Sequence, residues 1–225
     1  MTPDQQAATG TMWKPDVVPY VTSYTGEHDR PAALVATKNG LRFAGEVPGD
    51  RDSRGVLWIR QDQKRGAGRP DFGGINSARQ RRCMSRFLCQ VCAGPPSVTT
   101  EGMLFLLLDK PEPDWEDWPE RMGTVHPPLC ARCAGQAIRM CSALKRGFTA
   151  VRVRRPVVAG VDGKVYGPPA GGAEFVQRIV QYDEPDVLRW TIAEQLVAIL
   201  LGCTVITDLE NDLRGASLLA APTRD

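Results

Sequence analysis

Histidine, net charge and long apolar runs are all scarce in this chain of 225 residues. There are two histidines, His28 and His126, so acid–base catalysis by histidine has few candidates. The formal net charge is only +2, which argues against a protein that binds polyanions through its bulk charge. Nucleic-acid binding would therefore need a localised basic patch.

Catalytic sequence motifs are lacking too. The chain has no phosphate-binding or dinucleotide-binding glycine motif, no Gly-x-Ser-x-Gly and no His-Glu-x-x-His. Asp71-Phe72-Gly73 matches the kinase triplet, but the other kinase signatures are absent, so we interpret the match as chance. An enzyme that uses carboxylates such as Asp71 or Glu174 would leave no readable motif, so these absences exclude only the motif-bearing classes.

No segment has the character of a membrane span or an export signal. The most apolar long segment, residues 191–206, carries Glu194 and Gln195 and is shorter than a bilayer-spanning helix. The first ten residues lack a basic start followed by an apolar core, so we expect no signal peptide. These features predict a soluble, cytoplasmic protein without a membrane partner.

The overall composition is that of a globular protein, with 42% hydrophobic and 24% charged residues. The chain is long enough to form a core that does not depend on a metal. Residues 1–12 are small and polar and predict a disordered tail. We therefore expect a single globular domain over residues 13–225.

Hydrophobic periodicity predicts an α+β fold with mixed or antiparallel β sections. Asn39-Gly40 indicates a hairpin turn, and residues 161–164 (VDGK) indicate another turn. Apolar residues at helical spacing predict a C-terminal amphipathic helix over 184–202. The remaining expectations are strands near 17–27, 55–61, 102–109, 148–158 and 174–182, a glycine-rich loop over 62–77, and helices over 77–87 and 128–147.

The seven cysteines include two Cys-x-x-Cys pairs, Cys89/Cys92 and Cys130/Cys133, with 37 residues between them. Two such pairs offer four thiolates, which is the ligand set of a closed tetrahedral zinc site. Because four protein ligands leave no position for water, we expect one structural Zn²⁺ rather than a catalytic one. Two alternatives stay open: these are unrelated buried cysteines, or one ligand is replaced by Cys83, Cys141 or His126.

The context of the two pairs resembles the treble-clef group of zinc fingers over about residues 85–146. Cys89 and Cys92 lie in a turn that ends in Gly-Pro-Pro, an apolar strand follows, and Cys130 and Cys133 begin a predicted helix. The resemblance implies a zinc module embedded over residues 77–147. The acidic stretch 109–120 would then be an insertion between the two halves of the module.

Two basic clusters flank the cysteine pairs. Between residues 50 and 92, ten Arg or Lys stand against four Asp, and a second cluster follows the predicted zinc helix. Together they predict a surface for DNA or RNA phosphates, with ordinary solvated faces as the alternative. The predicted phosphate contacts are Arg79, Arg82, Arg86, Lys145, Arg146, Arg152 and Arg154.

Trp115 and Trp118 lie in an acidic, proline-broken segment. Exposed aromatic side chains can anchor a protein partner, so this pair is a candidate partner site. The alternative is that both tryptophans fold back and cover the core.

The leading functional hypothesis is a zinc-stabilised, non-catalytic protein that binds nucleic acid, a protein partner, or both. A second hypothesis is an enzyme with a structural zinc and a pocket in residues 66–75 or near Gly171-Gly172. A third is a thiol redox sensor in which oxidation of the thiolates expels zinc.

Overall fold

The structure of this protein, a computed structural model, describes residues 17–108, 114–167 and 175–219, so the predicted tail 1–12 lies outside the described residues. Strands and helices alternate irregularly along the chain, as expected of an α+β fold. The strands are β1 Thr22–Tyr24, β2 Leu34–Thr37, β3 Gly40–Phe43, β4 Leu57–Trp58, β5 Pro70–Ile75, β6 Val98–Thr99, β7 Gly102–Leu107, β8 Gly123–Thr124, β9 Thr149–Val153, β10 Val157–Tyr166, β11 Phe175–Gln181, β12 Thr191–Ile199 and β13 Cys203–Val205; the helices are α1 Ser77–Ser85, α2 Ala131–Met140, α3 Pro185–Leu188 and α4 Leu209–Leu219, with a 3-10 turn at Leu144–Arg146.

The larger sheet has the strand order β11-β10-β12-β4. The short strand β8 pairs with the edge of β12 that also pairs with β4, but at a later part of β12. The pairs are antiparallel except for β12 with β4, which is parallel. Helix α1 lies against β12 and buries its apolar side there. The core between them is formed by Val56, Trp58, Met84, Val161, Val180, Ala193, Leu196 and Ala198.

The predicted C-terminal helix over 184–202 is wrong. Only the four-residue α3 forms there, and the apolar run that follows is the central strand β12. A central strand is buried on both faces, so it loses the polar–apolar alternation that usually identifies a strand. The β-branched residues of TIAEQLVAI suit a pleated strand. The C-terminal helix of the structure is α4, which the sequence pattern did not predict.

The side chain of Gln80 in α1 is hydrogen-bonded to the backbone of β12, between the two short strands that pair with that edge of β12. Its side-chain oxygen accepts a hydrogen bond from the Leu196 backbone N–H at 2.9 Å. Its amide nitrogen donates to the Leu196 carbonyl at 2.9 Å and to the Val125 carbonyl at 2.7 Å. These contacts fall between the positions where β4 and β8 pair with β12, so a side chain replaces strand partners there.

Replacing Gln80 with leucine is expected to destabilise the protein by about 3 kcal/mol, because it leaves buried backbone groups without partners. Leucine is similar in size, so cavity formation contributes little. The free energy of unfolding from urea denaturation measures the effect. The exposed Gln63 is the matched control, and Gln63→Leu is expected to change stability by less than about 0.5 kcal/mol. Equal effects of the two substitutions would contradict this role of Gln80.

A second sheet, with the order β13-β9-β7-β6, supports the cysteine pairs. Its strand β7 is buried over nearly its whole length and pairs antiparallel with β9. Helix α2 covers one side of this sheet, and α4 packs beside α2. The packing around the cysteines includes Ala150, Leu209 and Leu213, so it extends beyond the predicted module 77–147.

Several shorter predictions have clear outcomes. The hairpin is confirmed as β2–β3, with the positive φ angle at Gly40. Helix α1 is confirmed, with Asn76 as its N-cap. The loop prediction for 62–77 is wrong at β5, which pairs with β1. The turn prediction at 161–164 is wrong as well, because β10 runs through it with a bulge at Asp162/Gly163.

In the parts of the chain that the structure describes, no helix combines the length and the apolar character that crossing a membrane requires.

Candidate metal centre and basic surface

The sulfur atoms of the two Cys-x-x-Cys pairs lie close together. All four lie within 4.8 Å of one another, although the pairs are far apart in the sequence. The Sγ atoms of Cys92 and Cys130, one from each pair, are 3.9 Å apart. Such a cluster of thiols can hold a metal ion.

The first pair lies in a tight loop that local hydrogen bonds close. The Cys89 N–H donates to the Gly94 carbonyl at 2.8 Å, and the Ala93 N–H donates to the Cys89 carbonyl at 2.7 Å. Ala93 adopts a φ of 57°, the left-handed conformation that turns the chain back. The loop thereby directs Cys89 and Cys92 towards the same side.

The second pair begins helix α2. Cys130 is the N-cap, and its sulfur accepts a hydrogen bond from the Cys133 N–H at 3.4 Å. The Gln90 N–H donates to the Pro128 carbonyl at 3.0 Å, which holds the two cysteine loops together. The Leu129 N–H donates to the Leu104 carbonyl of β7 at 3.0 Å, so the second pair is also fixed to the sheet.

The thiols of the cluster differ in their electrostatic surroundings. Burial raises the pKa of Cys89 to about 11, and burial and the neighbouring thiols raise the pKa of Cys133. The pKa of Cys92 is lowered: burial acts to raise it, but hydrogen bonds from the Gly94 N–H and from the other three thiols outweigh burial. Four thiolates at this distance repel one another, so a bound cation would stabilise the deprotonated cluster.

The alternative ligands lie outside this cluster. In the described ranges, the group of side chains that could hold a metal ion contains the four cysteines of the two pairs and none of Cys83, Cys141 or His126. Cys83 is buried in α1, and its thiol donates to the Cys89 carbonyl at 3.8 Å. Cys141 is exposed at the C-cap of α2.

Two of the predicted phosphate contacts are buried inside the protein. Arg79 forms a two-pronged ion pair with Glu27, with both N–O distances 2.6 Å. Arg152 is fully buried and pairs with Asp212 of α4 at 2.6 Å. It also donates to both oxygens of Ser97. Both guanidinium groups serve the packing of the fold and do not face solvent, so the prediction for these two residues is corrected.

The other predicted basic residues lie at the surface, namely Arg82, Arg86, Lys145, Arg146 and Arg154. The sequence analysis did not identify a further feature, a long stretch without acidic residues that includes the second cysteine pair. Residues 121–161 contain no Asp or Glu and eight Arg or Lys. Seven of these eight side chains are exposed: Arg121, Arg132, Arg139, Lys145, Arg146, Arg154 and Arg155. Counting acids along the stretch that carries the second cysteine pair would have revealed this surface.

Trp115 and Trp118 are half-buried and pack against the core cluster that contains Phe105, Leu107 and Met122. This position favours the interpretation that they cover the core. Residues 109–113 of the same acidic segment lie outside the described residues.

Two segments were predicted as sites of an enzyme pocket, and the structure describes only one of them. Gly171-Gly172 lies outside the described residues. The segment 66–75 contributes Phe72 to a cavity of about 410 Å³ beside α2. The described residues that line this cavity include no histidine and no carboxylate, so it offers few groups for acid–base chemistry.

Comparison of the chain with protein-family models, with curated proteins and with solved structures finds no match.

Proposed function

We propose that the four cysteines bind one structural zinc ion, and that the protein binds nucleic acid non-catalytically through the basic surface next to this site. Zinc holds thiolate sulfur at about 2.3 Å in a tetrahedron, which places the sulfurs about 3.8 Å from one another. The distance of 3.9 Å between Cys92 and Cys130 agrees with that geometry. Four thiolates complete the coordination, so the ion orders the fold and performs no chemistry.

The order of elements around the cysteines supports a treble-clef-like arrangement. A tight loop with the first pair is followed by the antiparallel strands β6 and β7, and the second pair begins α2. In such a module the ion joins a loop to a helix start, so the position of α2 depends on the metal.

The exposed cationic side chains of residues 121–161 carry the proposal for nucleic acid. Seven exposed Arg or Lys in a stretch of sequence without an acid favour a local excess of positive charge, even though the net charge of the chain is only +2. Phosphate groups are the partners that such a field attracts, with an affinity that falls as salt rises.

Several arginines elsewhere in the chain are neutralised by carboxylates, although no described carboxylate pairs with the exposed Arg42, Arg54, Arg65 and Arg69. Arg30 pairs with Asp62, Arg51 with Glu46 and Arg60 with Asp50. By contrast, none of the exposed arginines Arg82, Arg86, Arg132, Arg139, Arg146, Arg154 and Arg155 forms an ion pair with another described residue. The segments that carry the two cysteine pairs thus include several unpaired arginines that are free to attract an anion.

A salt-titrated binding assay with a labelled 20-nucleotide DNA and the same sequence as RNA tests the proposal on metal-loaded protein. We expect log Kd to change linearly with log salt, and the variant Arg82→Gln/Arg86→Gln to lower the slope by about 1.4 to 1.8, because each lost phosphate contact removes about 0.7 to 0.9. The control is Arg42→Gln, an exposed arginine of β3. Wild-type protein that binds neither nucleic acid at low salt would refute the proposal.

A further inference from the structure

A basic groove runs between α2 and α4 on the side of the metal-bearing helix. The two helices pack through apolar side chains, including Ala137, Ile138, Leu209 and Leu213. The groove beside this contact has a volume of about 720 Å³. It is lined chiefly by Arg132, Gly135, Gln136, Arg139, Leu213 and Arg214.

The charge of this groove is positive and largely unpaired. Three of its lining residues, Arg132, Arg139 and Arg214, are exposed arginines, and no carboxylate is among the described residues that line it. Arg214 contacts Glu210 at 3.9 Å, but both side chains are more than two-thirds exposed, so water screens this pair. The groove can therefore attract an anion with all three guanidinium groups.

The arginines are spaced along the groove rather than clustered at one point. Arg132 and Arg139 are seven residues apart, so they share one face of α2 and are separated by about 10.5 Å along the helix axis. At this separation the two guanidinium groups can contact different phosphates of one strand. Arg214 extends the positive charge onto the opposite wall, which α4 provides.

Because Gly135 has no side chain, the groove is open at this position. A Cβ atom at this position would lie 3.6 Å from Nη1 of Arg139 and 3.9 Å from Cδ1 of Leu213. The Arg139 guanidinium thus lies over the glycine, within the groove. A longer side chain at position 135 would occupy this space.

We infer that the groove between α2 and α4 takes up the phosphates of one nucleic-acid strand and reads no bases. This inference rests on the proposed function. No aromatic residue is among the described residues that line the groove, so it offers no platform on which bases could stack. Arginine forks suit phosphate oxygens, and phosphate contacts fix the position of a strand without reading its sequence.

The test compares full-length, metal-loaded wild type with Arg132→Gln/Arg139→Gln in fluorescence anisotropy at several salt concentrations. The probes are three 20-nucleotide DNAs of unrelated sequence and poly-glutamate as an acidic polypeptide. We expect the three DNAs to bind wild type alike, and the variant to lose about 1.4 to 1.8 from the log–log salt slope for all three. Gln136→Glu, which places a negative charge in the groove without changing its shape, should also weaken binding.

Matched measurements keep the result interpretable. Arg42→Gln removes one exposed positive charge from β3, outside the groove, and should leave the slope nearly unchanged. Circular dichroism and metal content must equal those of wild type; if the double variant is misfolded, Gln136→Glu alone decides.

Three outcomes would overturn the inference. The first is an unchanged slope in the groove variants while Arg82→Gln/Arg86→Gln reduces it, which would leave the proposed function standing. The second is poly-glutamate binding that the groove variants abolish, with no binding of DNA, which would assign the groove to an acidic protein. The third is wild type that binds no probe, which would remove the proposed function as well.

Discussion

If the four cysteines bind zinc as proposed, replacing Cys133 with serine is expected to unfold the part of the protein around them and to abolish stoichiometric zinc binding. The sulfur is buried among Cys89, Leu104, Leu129 and Ala134, so its loss removes a ligand and disturbs the packing of α2. Zinc binding contributes about 10 to 16 kcal/mol in small zinc modules. The total stability of a domain is about 5 to 15 kcal/mol, so this loss is large enough to unfold the module. Metal analysis by mass spectrometry and thermal unfolding by circular dichroism measure the two effects.

Cys141 provides a matched control on the same helix. Its thiol is exposed at the C-cap of α2 and lies outside the four-cysteine cluster. Cys141→Ser is expected to keep one zinc per chain and to change stability by less than about 0.5 kcal/mol. A Cys133→Ser protein that stays folded with one zinc per chain would contradict a structural role of the four-cysteine site.

The cysteine cluster could be predicted from the sequence because the geometry within each Cys-x-x-Cys pair is local. A Cys-x-x-Cys turn brings two sulfurs together by itself, and a helix start directs the second pair in the same way. Excluding Cys83, Cys141 and His126 from the cluster needed the three-dimensional arrangement. Cys83 precedes the first pair by only six residues, yet its thiol bonds to a backbone carbonyl instead of joining the cluster.

The central strand β12 could not be predicted, because distant contacts decide its conformation. Its apolar residues fit the period of a helix and that of a strand buried on both faces equally well. The Leu196 backbone bonds to Gln80, which lies 116 residues earlier in the chain, and strands β10, β4 and β8 border the segment. No pattern within residues 184–202 contains that information.

Sequence patterns likewise could not predict which arginines are buried and which are exposed. Arg79, Arg82 and Arg86 share a helical spacing, which predicted one basic face of α1. Their fates differ because Arg79 meets Glu27, which lies 52 residues away in the sequence, whereas Arg82 and Arg86 reach solvent. Arg152 similarly depends on Asp212, 60 residues later. A charge pattern shows where cations are, but the fold determines which of them are neutralised.

Replacing Arg79 with alanine is therefore expected to destabilise the protein by about 3 to 5 kcal/mol, because it leaves the buried carboxylate of Glu27 without its counter-ion. Arg79 also donates to the Thr22 carbonyl at 2.7 Å, so the substitution detaches α1 from β1. Urea denaturation measures the loss. Arg178→Ala is the matched control, because Arg178 pairs with Glu184 at 2.5 Å on the exposed surface, where loss of the pair should cost less than about 1 kcal/mol.

The pH dependence of stability separates this ion pair from a simple loss of packing. Hydrogen bonds from Arg79 hold the pKa of Glu27 below its ordinary value. The stabilisation from Glu27 is therefore complete above its unfolded pKa of about 4.3 and is lost as the pH falls through its lower folded pKa. In Arg79→Ala, burial without a partner should instead raise the pKa of Glu27, so acidification should protonate the carboxyl and recover part of the loss. The difference in unfolding free energy between wild type and variant should thus be largest near pH 7 and shrink towards pH 3. A difference that stays constant over this range would show that Arg79 stabilises the fold through packing and not through its charge.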